Sequence, residues 1–153
     1  WSSLTDVDIN YAILELKKLD KRFENLKKIQ SIFLNCYYNN PNTDKLFNEL
    51  NSDKRTDFSR YNYFHASYAV SHGKVDEAKS IVQSALKLYP RNLLLNQYKI
   101  DLNEKKNMEM FNCKNESHVV SEILYITAPA LSAQSLYSLS NFYLNLAKFL
   151  NED

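Results

Sequence analysis

The chain has 153 residues and a formal net charge of +1 at pH 7, with 44% hydrophobic and 13% aromatic residues. This apolar and aromatic content excludes an intrinsically disordered chain, and the length suffices for one compact core or a stack of about four helix pairs. A single glycine and three prolines leave few residues for the tight turns of all-β folds, which favours helices.

The charged residues are unevenly distributed along the chain. Residues 58–114 contain 9 basic and 5 acidic residues, whereas residues 115–153 contain 1 and 4. Neither part has the dense basic stripe of a nucleic-acid-binding protein, so we expect no nucleic-acid partner. No apolar run approaches the roughly 18 residues of a membrane-spanning helix, so we expect no membrane span.

Apolar residues at helical spacing predict helices over residues 5–22 and 24–38 and a shorter one from Thr43 to about Leu50. Residues 39–42, which include Pro41, are predicted to end the second of these helices. How these first helices pair is left open by the sequence.

A 34-residue block, residues 59–92, has the spacing of a helix hairpin. Its first helix is predicted from about residue 58 to 72 and its second from about residue 75 to 88. Small or turn-forming residues occupy the positions where the helices approach, turn and end: Ala66, Gly73, Ala78, Ala85 and Pro90. The block is identified as a tetratricopeptide repeat, a helix pair that buries its apolar face by stacking on neighbours.

The chain after this block is predicted to continue the repeat pattern irregularly. Residues 93–103 are predicted to form a helix, and residues 105–116 a loop or broken helix that Met108, Met110 and Phe111 attach to the body. A weaker repeat match covers residues 121–153, offset from the first by 62 residues. Its corresponding residues are Ala128, Ser135, Leu144, Ala147 and, in place of the closing proline, Glu152. Because the offset is less than two periods, an intervening repeat is expected to lack most of its second helix.

Two stretches, residues 91–97 and residues 121–125 with 139–147, resemble a group of exported alphaproteobacterial tetratricopeptide-repeat proteins. The resemblance implies an all-α fold, a right-handed superhelix of antiparallel helix pairs (an α-solenoid) with about seven to eight helices. It also implies a bacterial cell-envelope location, most simply the periplasm, with the cytoplasm as the alternative. A chain that begins at Trp1 is expected to be a single helical-repeat domain from a longer solenoid.

The resemblance also implies a binding surface, the concave face lined by the first helix of each pair. The positions carried over to this face are Arg60, Tyr63, Phe64, Ser67, Val70 and Ser71 from one unit and Glu122, Tyr125, Ile126, Pro129 and Ser132 from the other. Aromatic residues and arginine often dominate binding energy, which favours a protein or peptide partner. The alternative is that Tyr63, Phe64 and Tyr125 pack between neighbouring repeats.

Pro129 lies inside the predicted first helix of the second unit. Because proline removes a backbone hydrogen bond, two outcomes are possible: a kinked helix, or a helix that stops near Ala128 with residues 131–134 as the turn.

The cysteines and histidines form no recognisable reactive motif. Cys36 and Cys113 lack a metal-binding spacing, and two separate buried thiols are favoured over a disulfide. His65 is predicted to be an interior, hydrogen-bonded histidine. We therefore expect no enzyme activity, no metal and no cofactor.

The second hairpin is unusually apolar, because only Glu122 and Lys148 are charged between residues 118 and 150. Two functions remain possible. The leading one is a non-catalytic scaffold that binds a protein or peptide. The alternative is a structural segment that self-associates through this apolar C-terminal helix pair.

Overall fold

The computed structural model describes residues 9–52, 59–104 and 111–151. Within these residues there are eight α-helices and one 3-10 turn and no β-strand, which confirms the all-α fold predicted from the sequence. The helices are α1 (Ile9–Lys17), α2 (Glu24–Tyr37), α3 (Thr43–Ser52), α4 (Ser59–Ser71), α5 (Val75–Leu88), α6 (Leu93–Glu104), α7 (Glu116–Ala133) and α8 (Tyr137–Leu150). The predictions for residues 5–8 and 58, and for Met108, Met110 and Glu152, lie outside the described residues.

Two helix boundaries differ from the sequence prediction. The helix predicted to reach residue 22 ends at Lys17, and a short 3-10 turn precedes α2. The second repeat match starts at Ser121, whereas α7 begins at Glu116, where the Asn115 side chain accepts a hydrogen bond from the Ser117 N–H and caps the helix. Both boundaries depend on local capping and turn geometry, which the spacing of apolar residues does not indicate.

The chain divides into two compact units. One consists of the described residues within 1–40 and 112–153, with helices α1, α2, α7 and α8. The other consists of the described residues within 41–111, with helices α3 to α6.

In the unit of residues 41–111, α4 and α5 form an antiparallel hairpin against which α6 packs as a third helix. Ala66, Ala78 and Ala85 are buried where the two helices meet, as the repeat pattern predicted. Small side chains at these positions let the helix axes approach closely, so the alanines determine the packing of the hairpin.

In the other unit, α7 and α8 form the most extensive helix pair in the described chain. α7 passes through Pro129 and continues to Ala133, so the predicted alternative of a helix that stops near Ala128 is wrong. Ala128 and Ala147 are buried at the positions that the second repeat match assigned to helix packing.

The two hairpins have the same turn. Gly73 and Ser135 both have a positive φ, 75° and 64°. Each donates its N–H to the carbonyl three residues earlier at 2.9 Å, and the next residue donates to the carbonyl five residues earlier, at 2.9 Å from Lys74 and 3.0 Å from Leu136. The second helices, α5 and α8, are both 14 residues long and begin two residues after the turn residue.

The same turn occurs once more, one 34-residue period before Gly73. Asn39 has φ 54° and donates its N–H to the Cys36 carbonyl at 3.0 Å, while Asn40 donates to the Asn35 carbonyl at 2.8 Å. Asparagine is the residue that most readily replaces glycine in a left-handed helix cap. The likeness is limited to the turn itself, because α3 begins four residues after Asn39 and has only 10 residues.

None of the helices in the described part of the chain has the length and hydropathy that a bilayer crossing requires.

Candidate functional site

Three of the six predicted binding positions on α4 lie in the interior. Tyr63, Phe64 and Ser67 are buried. The Tyr63 ring makes an edge contact with Tyr98 of α6 at 5.0 Å between centroids, and the Phe64 ring lies 4.3 Å from that of Phe111. A partner could reach Tyr63 or Phe64 only if α6 or Phe111 moved away.

The Tyr63 hydroxyl also contributes to the interior. It accepts a hydrogen bond from the Phe111 N–H at 3.4 Å. Phe111 is buried, which confirms the prediction that it attaches the connecting segment to the body. Burial raises the pKa of the neighbouring Tyr98 to about 12, as expected for a phenol in an apolar core.

Three predicted positions on α4 remain at or near the surface. The Arg60 guanidinium lies 5.4 Å from the centroid of the Phe64 ring, a cation–π geometry. Val70 is half-buried and Ser71 is exposed. Their participation in binding remains a prediction.

The predicted positions on α7 are more accessible than those on α4. Tyr125 is 45% exposed, and Pro129, one turn further along the same side of the helix, is also exposed. Ile126 and Ser132 are half-buried, whereas Glu122 is buried. Of the two helices that carry predicted binding positions, α7 therefore has the exposed aromatic side chain that a partner could contact directly.

Cys36 and Cys113 form a disulfide with their Cα atoms 6.0 Å apart, which corrects the expectation of two separate thiols. No sequence signal indicates this pairing, because 77 positions separate the two cysteines. They meet because α2 and α7 pack in the same unit, which brings the end of α2 to the loop before α7. Two hydrogen bonds join the same segments, from the Tyr37 hydroxyl to Glu116 at 3.0 Å and from Lys114 to Asn39.

His65 is a buried histidine with a partner on each ring nitrogen, which confirms the prediction made for it. Nδ1 lies 3.3 Å from the Asn51 amide nitrogen, and Nε2 lies 3.2 Å from Asp44 Oδ1. If the Asn51 amide donates to Nδ1, the ring proton is on Nε2 and is donated to Asp44. The ring also stacks on Phe47 at 5.0 Å. Burial lowers the pKa of His65, so the neutral form is favoured at pH 7.

Asp44, His65 and Glu77 form a group that could hold a metal ion, because one ligand atom of each lies within 4.8 Å of the others. A lysine ammonium already lies among them. Lys74 Nζ is 2.8 Å from Asp44 Oδ2 and 3.4 Å from Glu77 Oε2. The hydrogen bond from Lys74 is the main reason why the pKa of Asp44 is lowered. The lysine therefore supplies the positive charge that the carboxylates need, and the group serves as an ion-paired link among α3, α4 and α5.

Sequence reasoning missed this group because its members lie on three helices. Only the pair Lys74 and Glu77, three residues apart at the start of α5, has a spacing that suggests contact in sequence.

No protein-family model, curated protein or solved structure matches the chain.

Proposed function

We propose that this protein is a non-catalytic helical-repeat scaffold of the tetratricopeptide type that binds a protein or peptide partner. The observation that carries the proposal is the recurrence of one hairpin. The α4–α5 and α7–α8 pairs have the same turn, the same second-helix length and buried alanines at matching positions, 62 residues apart. Repeated helix hairpins usually act as binding surfaces rather than as catalysts.

The exposed side of α7 is the binding surface that the side-chain positions support best. Tyr125 offers a rigid aromatic ring and a hydroxyl at small entropic cost, and neighbouring Pro129 adds apolar surface. Tyr63, by contrast, packs against Tyr98 in the interior, so its removal would damage the fold.

The disulfide supports a location in an oxidising compartment. Disulfides form and persist in secreted and periplasmic proteins and are rare in the cytosol. Together with the resemblance to exported repeat proteins, the Cys36–Cys113 pair favours the bacterial periplasm as the site of action.

The experiment is affinity capture of binding partners from an envelope extract, quantified by mass spectrometry for three forms of the chain. Tyr125→Ala should reduce capture of the specific partner more than tenfold, while its thermal midpoint stays within a few degrees of wild type. The matched control is Tyr137→Ala, which removes another exposed tyrosine, from α8, and should leave capture unchanged.

A partner retained equally by wild type and Tyr125→Ala would show that the α7 surface is not the binding site. Unfolding of Tyr125→Ala would show that Tyr125 belongs to the core. If no protein is enriched over a column without bait, the scaffold proposal itself fails.

A further inference from the structure

The outer side of α8 carries an apolar stripe that α7 does not cover. Four residues form it, and we call them the α8 stripe: Leu139, Phe142, Leu146 and Phe149. Leu139 is 42% exposed, Phe142 58% and Phe149 79%, while Leu146 is half-buried. The buried residues Ser140 and Ala147 lie on the opposite side of the helix, where Ser140 Oγ donates to the Ala128 carbonyl of α7 at 2.8 Å. α8 therefore has two apolar faces, and the described part of the chain leaves one of them exposed.

The spacing of the stripe indicates that another helix covers it. Its members follow one another at intervals of three, four and three residues, the a and d positions of a heptad. Such a seam accepts the side chains of a facing helix as knobs into holes. An extended peptide repeats every two residues and would not match it.

We propose that the covering helix is α8 of a second copy of this chain, running antiparallel about a two-fold axis near residue 144. In that arrangement Leu139 faces Phe149 of the partner subunit, and Phe142 faces Leu146 of the partner subunit. Each of the four layers then pairs one phenylalanine with one leucine. The stripe is thus complementary in size to its own inverted copy, which is what a two-fold interface requires. The proposal is independent of the partner surface on α7.

The charges on α8 permit this pairing. Lys148 is the only charged residue of the helix and lies outside the stripe. About the proposed axis the two Lys148 residues are eight positions apart, about 12 Å along the helix. That separation exceeds the screening length of about 8 Å at physiological ionic strength, so their repulsion is weak.

The exposed area predicts a weak dimer. Taking about 200 Å² for a phenylalanine side chain, Phe142 and Phe149 of both copies together expose roughly 550 Å². The leucines and the flanking residues add to this value and bring it towards the lower limit of about 1,200 Å² for stable interfaces. We therefore expect dissociation in the micromolar range.

The first test is sedimentation of the oxidised full chain over a wide concentration range. Wild type should change from monomer to dimer at micromolar concentration, and Phe142→Glu combined with Phe149→Glu should remain monomeric with an unchanged helical circular dichroism spectrum. Tyr137→Glu is the control for an added charge, because it places a single glutamate at an exposed aromatic on another side of α8 and should leave dimerisation intact.

The second test is a mixing experiment that reports the antiparallel register. Phe149→Glu and Leu139→Lys each change exposed residues, and each alone should weaken dimerisation at least tenfold. In the mixed dimer, Glu at 149 would face Lys at 139 of the other chain, while the remaining Leu139 and Phe149 would face each other. Equimolar mixing should therefore restore dimerisation, whereas a parallel pairing would bring residue 149 against residue 149 and would not.

A wild-type chain that is monomeric up to 100 μM would overturn the proposal in favour of a helix from another protein or chain segment. A dimer that persists in the double glutamate variant would overturn the assignment to α8. If mixing the two single variants fails to restore the dimer, the two-fold antiparallel register is wrong.

Discussion

Gly73 and Ser135 occupy the same position in two helix hairpins 62 residues apart, and both have a left-handed backbone conformation. Glycine adopts this conformation without a steric penalty, whereas a residue with a Cβ atom loses roughly 1 kcal/mol or more. Gly73 therefore suits the turn and Ser135 is strained in it. Substitutions at these two residues test directly whether the two hairpins share this turn.

We predict that Ser135→Gly raises the free energy of unfolding by up to about 1 kcal/mol and that Gly73→Ala lowers it by about as much. A Cβ atom at Gly73 would meet nothing within 4 Å, so the expected loss comes from backbone conformation alone. Urea denaturation measures both changes. Ser138→Gly, in the first turn of α8, is the control and should be destabilising; stabilisation by both glycines would argue against a special turn at Ser135.

We predict that reduction of the Cys36–Cys113 disulfide lowers the stability of the chain. A cross-link between residues this far apart typically contributes about 2–4 kcal/mol by restricting the unfolded chain. The measurement is urea denaturation with and without a phosphine reductant, after thiol titration has shown no free thiol in the untreated protein. The Cys36→Ser, Cys113→Ser double variant should be insensitive to the reductant. Two titratable thiols in untreated protein would contradict the disulfide.

We predict that the chain becomes less stable as the pH falls from 7 to 5. Burial lowers the pKa of His65 in the folded state below 6.5. As the pH falls through this range, His65 therefore becomes protonated in the unfolded chain while it is still neutral in the folded chain, which favours unfolding. The pKa of Asp44 is also lowered, mainly by Lys74, and adds a second loss below about pH 4. Stability is therefore greatest above the ordinary histidine pKa.

The measurement is the urea midpoint at half-unit intervals between pH 8 and 3. His65→Gln keeps a donor towards Asp44 but cannot titrate, so its stability should change much less between pH 7 and 5 than that of wild type. An equal slope in the two proteins over this range would show that His65 is not the titrating group.

We predict that Ala78→Leu and Ala85→Leu each destabilise the α4–α5 hairpin by about 1–3 kcal/mol, because both alanines are buried where the helices meet. Ser80→Leu is a suitable control, since Ser80 is exposed on the same helix. Thermal melting followed by circular dichroism measures the difference. Near-wild-type melting of both alanine variants would mean that the hairpin packs differently.

The sequence predicted the α4–α5 hairpin well because its signals are local. Gly73, the buried alanines and Pro90 mark the turn, the close contacts and the end of the unit independently of the rest of the chain. Ser135 was identified only by register, and its positive φ agrees with that register. The sequence indicates a helix end at residues 39–42 but not the left-handed conformation of Asn39, although asparagine is the residue that most readily replaces glycine in such a cap.

Features that depend on distant packing could not be predicted in this way. The disulfide requires α2 and the loop before α7 to meet, and the burial of Tyr63 and Phe64 requires α6 and Phe111 in their folded positions. A helical period indicates which residues share a face but not what covers that face. The sequence therefore assigns both Tyr125 and Tyr63 to the predicted binding face, although Tyr125 is exposed and Tyr63 is buried.

The most direct test of the repeat, on which the proposed scaffold function rests, is the backbone conformation of Asn39, Gly73 and Ser135 in solution. Nuclear magnetic resonance measures φ from the coupling between the amide and α protons and from the strength of the Overhauser effect between them within one residue. We predict positive φ at all three residues and a negative φ at Gln134, which is −91° in the structure. A negative φ at Ser135 would contradict the claim that the α4–α5 and α7–α8 hairpins have the same turn.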